Sequence, residues 1–554
     1  MKRQLWTVVL ISVFVIGGVL LGASWVAAGR PEPPSVPAFG TEAAYTYNTV
    51  ITVTSGIDPN DSKSETCYTG TSSDESPCTL RRAIVESRGL GAGELPVLVR
   101  FDIPTSDASY NSALDIWEIE VYPTSDLYAF RRLKGQVIID GSTQTGGRTG
   151  GPKIFVIWSG SANKTGLVMG DIAGDDGNVI LGLGMQNFST HIIVNTDDNL
   201  IESCWFGLSA DGTSLSSGDI SEPEGGSAIA FSAGANRNVV RDNRFAGFNG
   251  ASVAIRGNEN TFAGNWIGMR ADGTVPLPAQ FDTHPCSGSS TWTGGSGITL
   301  EGDDHQIGGP DAGDGNRFAG LYLDIFETSE QPFAIEFKGS TIDVLVQHNI
   351  IGLDGADDPI GICGRGLKLS NGPEGTQVIS NTFVETGLSA ILMNNWKLNG
   401  NTLRGNVIRR ETDWPGEQGD NTFPEDAIAY GSGVPDALQA FQPAVVTEVD
   451  GTAVTGVSGT SQHDQACANC TIELFLDDSD AVTEALESLV TVTANGSGNW
   501  SAVLPAPLAS GHGLRTMSTV PDEWTIADLQ GGSTSNLSAL YGADVKIYLP
   551  LVMH

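Results

Sequence analysis

Short stretches in which polar and apolar residues alternate recur along most of the chain, as in Ser227-Ala228-Ile229-Ala230-Phe231, Ser252-Val253-Ala254-Ile255, Gly297-Ile298-Thr299-Leu300 and Gly366-Leu367-Lys368-Leu369. A period of two belongs to a β-strand with one face turned to a core. Between them a second pattern returns: an Asn, two apolar residues, usually a second Asn, an apolar residue and Gly. It reads Asn199-Leu200-Ile201 to Trp205-Phe206-Gly207, Asn238-Val239-Val240 to Asn243-Arg244-Phe245, and Asn260-Thr261-Phe262 to Asn265-Trp266-Ile267-Gly268. Looser copies include Asn349-Ile350-Ile351-Gly352, Asn381-Thr382-Phe383, and Asn401-Thr402-Leu403 to Asn406-Val407-Ile408.

The spacing is 21 residues from Asn178 to Asn199, 22 from Asn238 to Asn260 and 25 from Thr376 to Asn401. Such a unit is too short for a propeller blade and lacks the spaced Leu of leucine-rich repeats. Two or three short strands per unit instead build one turn of a right-handed parallel β-helix. Coils stack at about 4.8 Å, so equivalent Asn residues should form a hydrogen-bonded ladder inside the stack. Asn should also take the left-handed backbone that sharp corners require. The repeated Asn is therefore assigned to turns, not to a ligand.

Gly207-Leu208-Ser209-Ala210-Asp211-Gly212-Thr213 and Gly268-Met269-Arg270-Ala271-Asp272-Gly273-Thr274 share a sequence, and Gly352 to Asp358 is a degenerate copy. Asp-Gly marks tight turns, so these are expected to be loops leaving one corner of successive coils. Loops on one side of a solenoid commonly form its binding face.

The chain has 554 residues, 70 of them Gly, and a formal charge of −36. That acidity argues against nucleic acid or an anionic membrane surface as partner. Lys2, Arg3, an apolar run from Leu5 to Leu21 and Val26-Ala27-Ala28 read as a secretory signal over 1–28, cleaved near Ala28 or kept as an anchor, the sole expected membrane contact. Residues 29–45, with Pro31-Glu32-Pro33-Pro34, read as a linker. Export permits disulfides, and among the seven cysteines Cys67 with Cys78 and Cys467 with Cys470 are the candidate local pairs. Cys204 lies in a strand phrase and reads as core.

Cys78-Thr79-Leu80-Arg81-Arg82-Ala83-Ile84 resembles the C-S-L-R-E-A-I signature of a family of exported bacterial right-handed β-helix proteins of pectin-lyase-like architecture. Val137-Ile138-Ile139-Asp140-Gly141-Ser142-Thr143-Gln144 is similar to that family's I-D-G-T-T-Q-P-G segment. The resemblance covers residues 46–410. It implies a short amphipathic cap, with Leu80, Ala83 and Ile84 covering the first coil. It does not fix an activity, because this architecture hosts lyases, hydrolases, adhesins and passive surface proteins.

From Phe441 the Asn phrases stop. After a linker over 411–440, strands such as Thr471 to Leu476 and Leu489 to Thr493, with a hairpin turn at Asn495-Gly496-Ser497-Gly498-Asn499, suggest a small β-sandwich over 441–545 that resembles bacterial immunoglobulin-like modules. The tail, 546–554, resembles a terminal segment of exported proteins from filamentous green bacteria. The fold class is thus all-β, a solenoid with a small C-terminal Ig-like sandwich.

Candidate chemistry is sparse. Asn195-Thr196-Asp197-Asp198 and Gly302-Asp303-Asp304-His305 look like the carboxylate motifs of inverting polygalacturonases. Four or five coils, roughly 20 Å, should separate them, whereas an inverting pair sits about 6.5–9.5 Å apart. Adjacent Asp residues in an extended segment would also face opposite ways. Asp354, Asp357 and Asp358 form the acidic group that could hold calcium, the candidate cofactor, with Arg365 and Lys368 as bases if the chain were a calcium-assisted lyase. Trp266 and Trp396 are candidate sugar-stacking residues, with Trp292 and Trp414. The expected role is structural, adhesive or carbohydrate-binding at the cell surface, with polysaccharide or cell-envelope components as partners; the alternative is a polysaccharide lyase acting on acidic glycans.

Overall fold

The computed structural model describes residues 45–58, 67, 77–122, 128–160, 164–214, 226–248, 250–275, 296–322, 332–394, 400–410, 426–458, 466–478, 480, 482–522 and 529–542. The signal or anchor segment, most of the 29–45 linker and the tail lie outside them, as do Trp292, Trp396 and Trp414.

The chain winds a right-handed parallel β-helix from three sheets. The first has 11 strands, from Thr49–Val53 to Thr402–Arg404; the second has 11, from Tyr110–Asn111 to Val407–Arg409; the third has nine, from Thr165–Met169 to Ile428–Tyr430. One coil visits the third, first and second sheets in turn. Equivalent residues stay in register. Ile180, Ile201, Val240, Phe262, Ile307 and Val346 stack in the first sheet, and Phe206, Phe245, Ile267, Phe318, Ile351 and Phe383 in the second. All are fully buried or nearly so, and the Phe206 and Phe245 rings stack at 5.1 Å. Each coil thus adds one layer to a continuous core.

Two ladders of buried amides bind the coils. At the corner before the first sheet, the backbone N–H of Asn178 donates to Asn199 Oδ1, that of Asn199 to Asn238 Oδ1, and that of Asn238 to Asn260 Oδ1, at 2.8–2.9 Å. At the next corner Cys204, Asn243, Asn265, Asn316, Asn349 and Asn381 each donate a backbone N–H to the following rung, ending on Asn406. The ladder is as expected, but the left-handed residue is not the Asn. Asp198, Arg237, Glu259, Asp242, His348 and Ser380, each immediately before a rung, carry the positive φ of 53–57°. The Asn side chain must point inward to bridge coils, so its neighbour turns the corner.

Not every rung is Asn: Thr376 donates its backbone N–H to Asn401 Oδ1, and His305 and Cys204 also take rung positions. His305 Nδ1 accepts the Asn260 N–H at 3.2 Å while Nε2 lies 3.1 Å from the Glu301 carbonyl. Cys204 is fully buried with a free thiol.

The ends of the solenoid are closed differently. At the start, the helix Leu80–Ser87, capped by Thr79 Oγ1, buries Leu80, Ala83 and Ile84 among Ile51, Val53 and Phe101. At the finish, a three-stranded antiparallel sheet (Val445–Asp450, Ala453–Val457, Asn499–Val503) and a four-stranded one (Glu487–Thr493, Thr471–Asp478, His512–Thr519, Tyr541–Gly542) make a small sandwich with Trp500 buried. The sandwich supplies acceptors to the last coil. Gly405 N–H donates to Glu473 Oε1 at 2.8 Å, Gly400 N–H to Ser533 Oγ, Leu403 N–H to Thr534 Oγ1 and Arg410 N–H to Glu484 Oε1. Ile408 pairs with Ala485 as an antiparallel bridge. A bare sheet edge is a template for association, and here its donors are satisfied.

Cys67–Cys78 and Cys467–Cys470 are disulfide-bonded, and Cys363 is also in a disulfide.

Candidate functional site

The related loops leave one corner, between the second and third sheets, and stack on one another. Ala271 N–H donates to the Gly212 carbonyl at 3.0 Å and Gly355 N–H to the Gly273 carbonyl at 2.9 Å. Beneath them, the outward column of the second sheet reads Trp205, Arg244, Trp266, Arg317. The Arg244 guanidinium lies 3.7 Å from the Trp266 ring centroid, and Arg148 lies 4.7 Å from that of Trp205. Burial pushes the Arg244 and Arg148 guanidinium groups below the ordinary arginine range. Gly273 and Gly355 fit against the Trp266 ring, where a Cβ would approach within 2.7 and 2.9 Å. Trp266 therefore has Arg244 on its ring and loop backbone against it.

The acidic trio closes its own loop. Asp354, buried, accepts the N–H groups of Ala356 and Asp358 on Oδ1 at 2.8 and 3.0 Å, and Asp357 pairs with Arg317 at 2.8 Å. Arg365 and Lys368 lie on the third sheet.

There the outward side chains change character along the stack. One column runs Ile193, Ala230, Ala254 through the early coils and then becomes Thr299, Glu336, Lys368. Lys368 Nζ lies 2.7 Å from Glu336 Oε1, and Lys338 Nζ is 3.8 Å from Glu336 Oε2. In the column beside it Phe333 aligns with Arg365, and Lys368 Nζ is 5.9 Å from the Phe333 ring. The Lys338 side chain is 51% exposed and that of Lys368 26%, so both ammonium groups can meet an incoming ligand. The result is one carboxylate between two partly exposed lysines on two consecutive coils, with Arg365 and Phe333 buried beside them. Such a set can hold a polyanion. A carboxylate hydrogen-bonded to an ammonium is also a proton-transfer pair.

Glu336 and Lys338 were absent from the sequence-based candidates. Aligning Phe333-Ala334-Ile335-Glu336-Phe337 on Gly366-Leu367-Lys368-Leu369 by their inward residues would have placed Glu336 beside Lys368.

The polygalacturonase-like carboxylates serve another corner. Asp197 N–H donates to Asp176 Oδ1, Asn236 N–H to Asp197 Oδ1, Asn258 N–H to Asn236 Oδ1, and Asp303 N–H to Asn258 Oδ1. Asp197 and Asp303 are three coils apart, about 14 Å, not four or five, because the loops absorb the extra residues. Asp197 and Asp198 do not diverge either. The left-handed backbone at Asp198 turns both onto Arg237, at 3.0 and 2.9 Å.

No protein-family model and no curated protein matches this chain. Among solved structures it is similar to ORF18 of Geobacillus virus E2, at 12% identity over 78% of this chain and 73% of that one, TM-score 0.31. It is similar to the A-module of a mannuronan C-5 epimerase from Azotobacter vinelandii, at 10% identity over 64% and 91%, TM-score 0.30. The tailspike protein of E. coli bacteriophage HK620, solved with a pentasaccharide, shares 11% identity over 79% and 88%, TM-score 0.29. Among the described residues no helix is long and apolar enough to cross a membrane.

Proposed function

We propose that this chain is an exported surface protein whose solenoid binds an acidic polysaccharide across the polar stretch of the third sheet. Residues 1–28 serve as signal or anchor, 46–410 as a solenoid of the C-S-L-R-E-A-I-headed kind, and 441–545 as an Ig-like module closing it. One observation supports the reading above the rest. The chain has only 29 basic residues against 65 acidic ones, yet Lys338 and Lys368, both partly exposed, flank Glu336 on consecutive coils, with the buried Arg365 opening the second strand. In so acidic a protein, a local pair of cations suits a ligand carrying regularly spaced carboxylates.

The test is calorimetric titration of the purified chain with a panel of uronate-containing and neutral polysaccharides. Binding of the acidic members only, weakened by salt and by Lys338→Ala with Lys368→Gln, is the expected result. Equal binding of neutral glycans, or none of any, overturns it. The Glu336–Lys368 pair favours a second reading, β-elimination, which ultraviolet absorbance of an unsaturated product in the same mixtures would reveal.

A further inference from the structure

A second cluster of ligating groups lies far along the chain, at the seam between the solenoid and the sandwich. Asp477 and Asp478 end the strand Thr471–Asp478, and Glu484 follows six residues later. Between them, Asp478 Oδ1 accepts the Asp480 N–H at 3.0 Å, and Asp480 Oδ1 accepts the Val482 N–H at 2.7 Å. One oxygen from each of Asp477, Asp478 and Glu484 comes within 4.8 Å of the others. Oxygens on opposite sides of a calcium ion are about 4.6–5.2 Å apart, and those across magnesium about 4.0–4.2 Å. All three carboxylates can therefore reach one calcium ion.

Acidic clusters are common on an acidic protein, but this one contains an unanswered group. Asp477 is fully buried; Arg515 holds its Oδ2, and its Oδ1 is buried with no hydrogen-bond partner among the described residues. A buried carboxylate oxygen left without a donor costs free energy that a cation would recover. Glu484 joins the cluster from the segment that follows the strand. Its Oε1 also receives the N–H of Arg410, at the end of the last coil of the second sheet.

We infer that Asp477, Asp478 and Glu484 form a calcium site that fastens the C-terminal sandwich to the end of the solenoid. The ion neutralises a group whose pairing side chain, among the described residues, is Arg515, and it fixes the carboxylate that caps Arg410. Calcium then acts as a clamp on the closing end, independent of any glycan.

The experiment uses the full chain, stripped with a chelator and titrated with calcium chloride or magnesium chloride in a calorimeter, with melting temperature followed in parallel. The expected result is saturable calcium binding, stronger than magnesium binding, with a raised melting temperature. Glu484→Gln keeps the acceptor for Arg410 and removes the charge. It should weaken calcium binding about tenfold or more and abolish the calcium-dependent rise without lowering the calcium-free melting temperature. Asp478→Asn, which keeps the acceptor for Asp480, should do the same if Glu484→Gln fails to fold. The inference is overturned if wild type shows neither heat nor melting shift, if both variants bind as wild type does, or if Asp357→Asn removes the binding instead. No glycan is present, so failure of the polysaccharide reading leaves the result untouched.

Discussion

Replacing Asn265 by Ala tests whether the repeated Asn builds the solenoid or merely occupies its turns. Its Oδ1 accepts both the backbone N–H and the Nδ2–H of Asn243 at 3.0 Å, and its own Nδ2 donates to the Val240 and Ala263 carbonyls and to Asn316 Oδ1. Asn243, Asn265 and Asn316 are all fully buried, so water cannot replace the lost acceptor. Two stranded donors on Asn243, at about 1–3 kcal/mol each, put the loss near 2–6 kcal/mol. An Asn that only shapes an exposed turn costs far less; Asn495, exposed, accepts the Ser497 and Asn499 N–H groups at its hairpin. Urea unfolding followed by circular dichroism, comparing Asn265→Ala with Asn495→Ala, should show the larger loss for Asn265 and a broader or stepped transition, since each coil rests on its neighbours. Equal losses for the two variants would refute the ladder as a source of stability.

Glu473 caps Gly405 at the seam, and burial pushes its carboxyl up to about 7 from 4.5. Between those values the native state binds more protons than the unfolded chain, so stability falls as pH rises from about 4.5 to 7, by roughly 3 kcal/mol at 1.36 kcal/mol per pH unit. Urea midpoints should show that slope, and Glu473→Gln, which still accepts from Gly405, should flatten it; a slope unchanged in the variant rejects the assignment. His305 has the opposite sign. Burial lowers its pKa from 6.5, so the unfolded chain takes up its proton first and stability drops as pH falls below about 6.5. His305→Asn, which restores the usual rung, should remove that drop in the same titration. Cys204 is buried and its thiol is pushed up to about 12; a chromogenic disulfide reagent should leave it unreacted in the native chain and label it in urea, and rapid native labelling would contradict the core placement.

The solenoid was legible because its two signals are local. Alternation places the strands, and an Asn that recurs every 21–25 residues wherever no long loop intervenes marks the rungs. The corner chemistry was only half legible: the need for a left-handed residue could be read from the turn, but sequence does not say that Asp198 rather than Asn199 adopts it. Distance along the stack was misjudged for a physical reason. Residues in the long loops after Phe206 and Ile267 lengthen the chain without adding coils, so Asp197 and Asp303 lie closer than counting suggests. Trp266 shows another limit, because an aromatic on an outward column is exposed only if no loop folds over it. The Glu336–Lys368 pair and the Asp477–Glu484 cluster depend on register across coils and on a chain reversal, which no single segment reports.

The measurement closest to the central claim is hydrogen exchange of the full chain with and without a saturating acidic polysaccharide. Slowed exchange confined to Ser296–Leu300, Phe333–Phe337 and Arg365–Ser370, with their adjoining loops, is the predicted footprint. Protection concentrated instead on the first sheet or on the three-stranded sheet of the C-terminal sandwich would contradict the assignment of the binding face.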